Sequence, residues 1–305
     1  MPEKLHITVC ICTYKRPGLL RRLLEALGQQ SSQNHFTFSC AIADNDATGS
    51  AQLLVEEFRQ QQKFEISYAV EPERNFASVR NRVVSLARGD LIAFIDDDEK
   101  PGAGWLLELY TAMQRFQADG VLGPVRPYFD SPPPKWLVQS RLCDRPAHPT
   151  GLELNWNQTR SGNVLLKKSL FDTDRLAFDP VYRTGGEDVD FFKRAMKIGR
   201  RFFWCEEAVA YELLPPERCR KSYFLKRALL QGRISLNYAA ENMSPVARLR
   251  IGLKCAAAIL GYSLLLPFLC FAGMGGLMKF LVKDCHHLGR LLALLKVPVW
   301  KERNF

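Results

Sequence analysis

The sequence predicts an α/β fold with a doubly wound, largely parallel central sheet, and three observations carry that prediction. Short apolar runs alternate with amphipathic helical stretches over the first hundred residues, which is the pattern of repeated βα units. Each run ends in polar or acidic residues, namely Thr13-Tyr14-Lys15-Arg16, Asp44-Asn45-Asp46 and Asp96-Asp97-Asp98. The carboxyl edge of a parallel sheet is where open α/β folds bind ligands. At 305 residues the chain has room for one large α/β domain plus an appendage, or for two domains.

The elements follow in order. Residues 7–12 form a β-branched strand, and Pro17-Gly18 then starts a helix with Leu19, Leu20, Leu23, Leu24 and Leu27 on one face. Residues 36–43 read as a second strand, 50–62 as a helix, 64–70 as a third strand and 77–88 as a helix carrying Arg80. Leu91 to Ile95 is a buried central strand opening into the three aspartates. A helix over 104–118 and a strand over 120–125 come next. The proline-stiffened stretch 131–154 reads as irregular chain, an ordered cover over the site. Residues 161–166 resume a strand, and Gly185-Gly186-Glu187-Asp188 opens another helix, where acids also serve as simple first-turn caps.

Composition narrows the partners. The net charge of +10 and pI near 9.2 point to nucleic acid, anionic lipid or a phosphorylated substrate. No zinc-finger spacing or helix-turn-helix pattern supports nucleic acid. The nine cysteines form no CxxC pair and read as reduced core thiols. With no signal peptide in the first residues, the catalytic part is expected in the cytosol.

Three adjacent carboxylates raise one another's pKa unless a cation neutralises them. Hard oxygen ligands suit Mg²⁺ or Mn²⁺, ions that usually also hold a substrate's phosphates.

The segments CTYKRPGLLRRLL, ADNDATGSA, EPERNFASVRNRV, GDLIAFIDDDEKP, GWLLEL, GPVRPYF, SGNVLL, TGGEDVDFF and WCEEAVAYELLPPER stand in one order across roughly residues 5–235. Together they resemble the inverting family 2 glycosyltransferases of GT-A fold, and within them the bacterial succinoglycan-biosynthesis β-glucosyltransferase type. The resemblance implies that Thr13, Tyr14, Arg16 and Asp44 frame the nucleotide and that Arg80 contacts base or diphosphate. Asp96 and Asp97 match donor-contacting members of the family's DxD motif, and Asp98 its direct metal ligand, with Asp96 beside it. Asp188 matches the general base, and Glu187 positions it or the acceptor. Where many members carry a metal-binding His, this chain has Glu212, an oxygen ligand or a residue with no metal role. No processive Gln-x-x-Arg-Trp motif occurs, so one sugar is added per encounter.

Beyond residue 250 the composition changes. Residues 255–278 are an uncharged stretch of 24, long enough for a helix to cross a hydrocarbon core of about 30 Å. Pro267 lies near its middle, so a single span and a shallow hairpin are both open. Leu277, Phe280, Leu281, Leu288, Leu291, Leu292 and Leu295, interspersed with basic residues, read as an interfacial helix on anionic lipid.

The expected organisation is a GT-A catalytic domain over 1–235, a basic linker over 236–254 and a membrane-associating segment over 255–305. A chain ending near residue 247 would keep every site residue and stay soluble. The expected function is hexose transfer from a nucleotide sugar, UDP-glucose first, to a glycan carried on a polyprenyl diphosphate lipid at the cytoplasmic face of the inner membrane. Other polysaccharide-assembly enzymes are expected as neighbours. The alternatives are a silent sugar-nucleotide-binding scaffold and a nucleotidyltransferase, though no Gly-rich phosphate loop with a following Lys stands at the first βα turn.

Overall fold

Side-chain alternation in β1 (His6–Thr13) sets the layers of the fold. In this computed structural model, which describes residues 4–61, 64–183, 185–240, 243–269 and 273–297, Ile7, Val9 and Ile11 enter one core and Cys10 the other. Successive strand residues point to opposite faces, so a strand buried on both sides feeds two cores. The first core takes in α1 (Pro17–Leu27), α2 (Gln52–Gln61) and α4 (Trp105–Phe116), through Leu20, Leu23, Phe58 and Trp105. The second takes in α3 (Phe76–Leu86), α6 (Ser169–Asp172) and α7 (Glu187–Lys197), through Val79, Val83, Leu170, Phe191 and Phe192.

The remaining strands are β2 (Thr37–Asp44), β3 (Ile66–Val70), β4 (Leu91–Phe94), β5 (Glu99–Pro101), β6 (Gly120–Leu122), β7 (Val125–Tyr128), β8 (Val164–Lys167), β9 (Phe202–Trp204) and β10 (Ala210–Leu213). The main sheet has 7 strands in the order β3-β2-β1-β4-β8-β6-β9. All neighbours are parallel except β8, which runs antiparallel to both β4 and β6. The β1–β2 register sets Thr13 opposite Asp44 at the carboxyl edge. A second sheet, β5-β10-β7, aligns Glu99 with Glu212.

Several expectations change. The strand over 120–125 is two, because Gly123 and Pro124 hand the chain from one sheet to the other. The irregular stretch 131–154 contains α5 (Lys135–Ser140). Residues 1–128 and 145–213 form one compact unit, which leaves out 129–144.

The second unit, 129–144 with 214–305, is helical: α5, α8 (Lys221–Ala240), α9 (Pro245–Leu269) and α10 (Gly273–Leu294). Leu137, Phe224 and Met278 are its buried centre. Two described helices share the uncharged stretch 255–278. α9 runs through Pro267 to Leu269 and α10 restarts at Gly273, which has φ +69, a conformation open to glycine. Residues 270–272 lie outside the described residues. Among the described residues no helix is long and apolar enough to cross a membrane. The helix read as interfacial, α10, buries Gly275, Met278 and Gly289 against its neighbours. A Cβ on Gly275 would meet Gln139 of α5 at 2.7 Å, and one on Gly289 would overlap the Leu229 carbonyl of α8. The missing side chains are what let these backbones approach.

Candidate active site

Three loops at the carboxyl edge of the parallel strands bring the acids together. After β4 the chain turns at Asp96, whose N–H donates to Glu99 Oε2 at 3.3 Å, while the Glu99 N–H returns to the Asp96 carbonyl at 3.0 Å. Thr13 Oγ1 donates to Asp97 Oδ2 at 2.8 Å, tying the end of β1 to this turn. Arg16, at the N-cap of α1, donates to Asp97 Oδ1 and Asp98 Oδ2, each at 3.3 Å. Burial and the neighbouring Asp98 push the Asp97 carboxyl up to about 7, against the pull of Arg16 and the Thr13 hydroxyl.

Arg80 joins this turn to the start of α7. Its guanidinium contacts the Glu187 carboxylate and lies 3.9 Å from Asp96 Oδ1. Side-chain exposure is 15% for Arg80 and 4% for Glu187, so this is a buried ion pair. Burial opposes the charge on Arg80, but Glu187 and Asp96 raise its pKa all the same. Burial lifts the Glu187 carboxyl above its usual range, with Arg80 pulling the other way. Asp188 follows, half-buried, its Oδ1 accepting from the Val189 N–H at 2.8 Å.

Gly185 and Gly186 precede α7 with φ of +130 and +97, values that side chains resist. The loop before them is laced to α3. Asn75 caps α3 by accepting from Ala77 N–H at 3.0 Å and donates to the Pro180 carbonyl at 2.9 Å. Asn81 donates to the Phe178 carbonyl at 2.7 Å and accepts from its N–H at 2.9 Å. The segment EPERNFASVRNRV thus holds the loop that presents Glu187 and Asp188.

The nucleotide-side residues separate into two groups. Tyr14 is half-buried, with the Lys15 ammonium and the Arg74 guanidinium each 5.4 Å from its ring. Asp44 is fully buried and builds its own loop: it accepts from the Asp46 and Ala51 N–H groups at 2.9 and 2.8 Å and from the Tyr68 hydroxyl at 3.0 Å. Arg80 likewise stands between two carboxylates.

Sequence reasoning missed four residues here. Glu99 is buried with Oε1 lacking a hydrogen-bond partner among the described residues, and burial with the adjacent Asp96 pushes its carboxyl well up. Arg145 contacts the Glu212 carboxylate, so the residue weighed as a metal ligand is engaged by a cation. Arg160 donates to the Gly123 carbonyl at 3.1 Å, and burial with the nearby Arg145 lowers its pKa to about 10. Asn163, fully buried at φ +55, donates to the Pro124 and Ala208 carbonyls at 2.8 Å each and accepts from Trp105 Nε1 at 2.6 Å. The Ser161-Gly162-Asn163 segment was the available signal, since a polar triplet entering a buried strand must find partners for its Asn.

The sequence profile described as Glycosyl transferase family 2 matches residues 8–177, more than half of the chain. The chain belongs to glycosyltransferase family 2. It is 30% identical over 297 residues to the succinoglycan biosynthesis protein ExoM of Rhizobium meliloti (strain 1021), covering 96% of this chain and 94% of that one. It is 25% identical over 220 residues to ExoW of the same organism, covering 67% of each. Among solved structures, S. aureus TarS 1-349 in complex with UDP superposes with TM-score 0.55 at 16% identity, over 93% of this chain and 92% of that chain. That likeness establishes the GT-A-like fold. Glu187 and Asp188 lie beyond the stretch matched to family 2, but inside the span shared with most of ExoM.

Family 2 chemistry implies a divalent metal, and the donor set can be tested for fit. Among the described residues no group of three or more His, Cys, Asp or Glu is placed to hold an ion. Mg²⁺ and Mn²⁺, however, are commonly held by one or two carboxylates with the substrate's phosphates completing the shell. The crowded turn fits that requirement: Asp96 is 44% and Asp98 12% exposed, and both are hard oxygen donors.

Proposed function

We propose that this family 2 chain is an inverting hexosyltransferase that moves one sugar from a UDP-sugar, UDP-glucose foremost, to a hydroxyl of a growing glycan. The observation that carries the reading is Arg80, a buried cation that binds the Asp96 turn to the Glu187-Asp188 helix start. It holds the donor-side acids and the base in one constellation.

In that reaction the acceptor oxygen forms a bond to the anomeric carbon as the bond from that carbon to the diphosphate oxygen breaks. The hydroxyl proton goes to Asp188, and the nucleoside diphosphate leaves with the electron pair. Glu187, pinned by Arg80, fixes the direction in which Asp188 faces. Asp98, with Asp96, would hold Mg²⁺ or Mn²⁺, which when bound would supply positive charge to the departing diphosphate. Glu212 is a reserve ligand only if it leaves Arg145. Thr13 and Arg16 steady Asp97 and Asp98, and Tyr14 with Asp44 and its loop is the place for the nucleoside.

The UDP complex of TarS supports the donor, and the names of ExoM and ExoW support a role in bacterial polysaccharide synthesis. A polyprenyl-diphosphate-linked acceptor at the cytoplasmic membrane face suits the basic helical unit. Nucleotide release with a panel of UDP-sugars, Mn²⁺ or Mg²⁺ and lipid-linked acceptor extract tests the reading. Asp188→Asn is expected to keep donor binding and to lose about 10²- to 10⁴-fold in transfer. Full transfer by that variant removes the base assignment.

A further inference from the structure

The chain's basic charge is unevenly distributed. The helical unit carries 17 Lys and Arg against 6 Asp and Glu, a formal +11, whereas the catalytic unit carries 25 against 26, a formal −1. The excess of +10 therefore serves the helices.

α9 is seated on its neighbours by one face. Cys255 is buried on that face, Arg248 donates to the Leu294 carbonyl at 3.2 Å, and the Tyr262 ring meets Phe280 of α10 at 5.7 Å. The opposite face carries Val246, Leu249, Leu253, Leu260, Leu264 and Phe268, each between 62% and 74% exposed. At 100° per residue these six fall within an arc of about 100°, along a stripe roughly 33 Å long. Exposed Arg250 and Lys254 run along one edge of it. A soluble monomer rarely shows a contiguous apolar patch beyond a few hundred Å².

We infer that α9 is an in-plane docking helix, its apolar stripe lying at the boundary of headgroups and acyl chains of an anionic bilayer, with Arg250 and Lys254 on the lipid phosphates. This rests on the membrane location proposed above and assigns it to α9 rather than to a span or to α10. Two features select lipid as the occupant. The unit's charge complements anionic headgroups, and cations edge an apolar face as interfacial binding requires.

The full chain is tested by flotation with phosphatidylcholine vesicles containing one quarter phosphatidylglycerol, and with pure phosphatidylcholine. Binding to the mixed vesicles is expected, with a marked loss on pure phosphatidylcholine. The variant Leu260→Glu/Leu264→Glu is expected to bind the mixed vesicles about 100-fold more weakly, each leucine contributing about tenfold. UDP release with a soluble acceptor is expected to stay unchanged. A second variant, Leu264→Trp, reads the contact directly: its fluorescence is expected to shift to the blue on vesicle addition, while Leu53→Trp on the catalytic unit is expected not to respond.

Undiminished binding by the double variant, or vesicle-bound Leu264→Trp protein whose fluorescence does not shift, overturns the assignment. So does a stable dimer of the full chain that the double variant dissociates, because the stripe would then be an interface between copies. Full-length chain that floats with no vesicle overturns both the docking helix and the membrane location, while UDP release tells separately whether glycosyl transfer stands.

Discussion

Arg80→Met is the perturbation that most directly probes the constellation. The substitution keeps the length of the side chain and removes the cation between Glu187 and Asp96. With Glu187 only 4% exposed, its carboxylate is left buried and uncompensated, a defect that typically costs about 3–5 kcal/mol. At about 2–4 °C per kcal/mol for a unit of this size, the melting temperature is expected to fall by about 6–20 °C. Burial already raises the Glu187 pKa, and loss of Arg80 raises it further, so the neutral acid becomes the form the fold tolerates. The defect is therefore expected to shrink as the pH is lowered toward 5 and to be full at pH 8. The double variant Arg80→Met/Glu187→Gln carries no stranded charge and is expected to recover to within about 1–2 kcal/mol of the parent, without recovering turnover. Thermal and urea unfolding of the parent, both single variants and the double variant provide the cycle. A single variant within about 0.5 kcal/mol of the parent, or a double variant no more stable than Arg80→Met, refutes the account of Arg80 as the buried link.

Asn163→Ala removes three buried hydrogen bonds and is expected to cost about 3 kcal/mol or more in unfolding free energy, because the Pro124 and Ala208 carbonyls and Trp105 Nε1 lose their partner. His6 offers a pH readout outside the site. Burial lowers its pKa from 6.5, and its ring nitrogens meet the Thr37 and Ser39 hydroxyls at 2.8 Å each. Since the fold favours the neutral ring, this contribution is complete above pH 6.5 and is lost as the pH falls below it. His6→Gln is expected to flatten the unfolding midpoint against pH over that interval. Asp98→Ala and chelator are each expected to weaken UDP-sugar binding by about tenfold or more, and together by no more than either alone. Isothermal titration checks this, and additive losses would separate Asp98 from the metal.

The first four strands were legible because each is an apolar run closed by polar residues, and the acid pattern at their ends located the site. The direction of β8 was not. Val164-Leu165-Leu166 is buried on both faces, and a strand so buried reads the same whether it runs parallel or antiparallel. The small sheet escaped notice since β5 is three residues long and carries Glu99 and Lys100. Arg80 was picked out, but its partner Glu187 lies 107 positions away, and only folding reveals which acid a lone arginine meets. In the tail, composition gave the apolar length of 255–278. It did not show that α10 covers its apolar side on α5 and α8, leaving α9 to present one outward.

The helical unit is assembled from chain segments made far apart in time. Gln139 of α5 meets Gly275 of α10, and at about 5–20 residues per second the ribosome needs roughly 7–27 s to travel from one to the other. Throughout that interval Trp136 and Leu137 have emerged without the helix that covers them. The nascent chain thus carries an exposed apolar hook until α10 has emerged. A chain stopped near residue 247 would keep that hook uncovered permanently, so the truncation expected from sequence to be soluble is expected from the structure to aggregate.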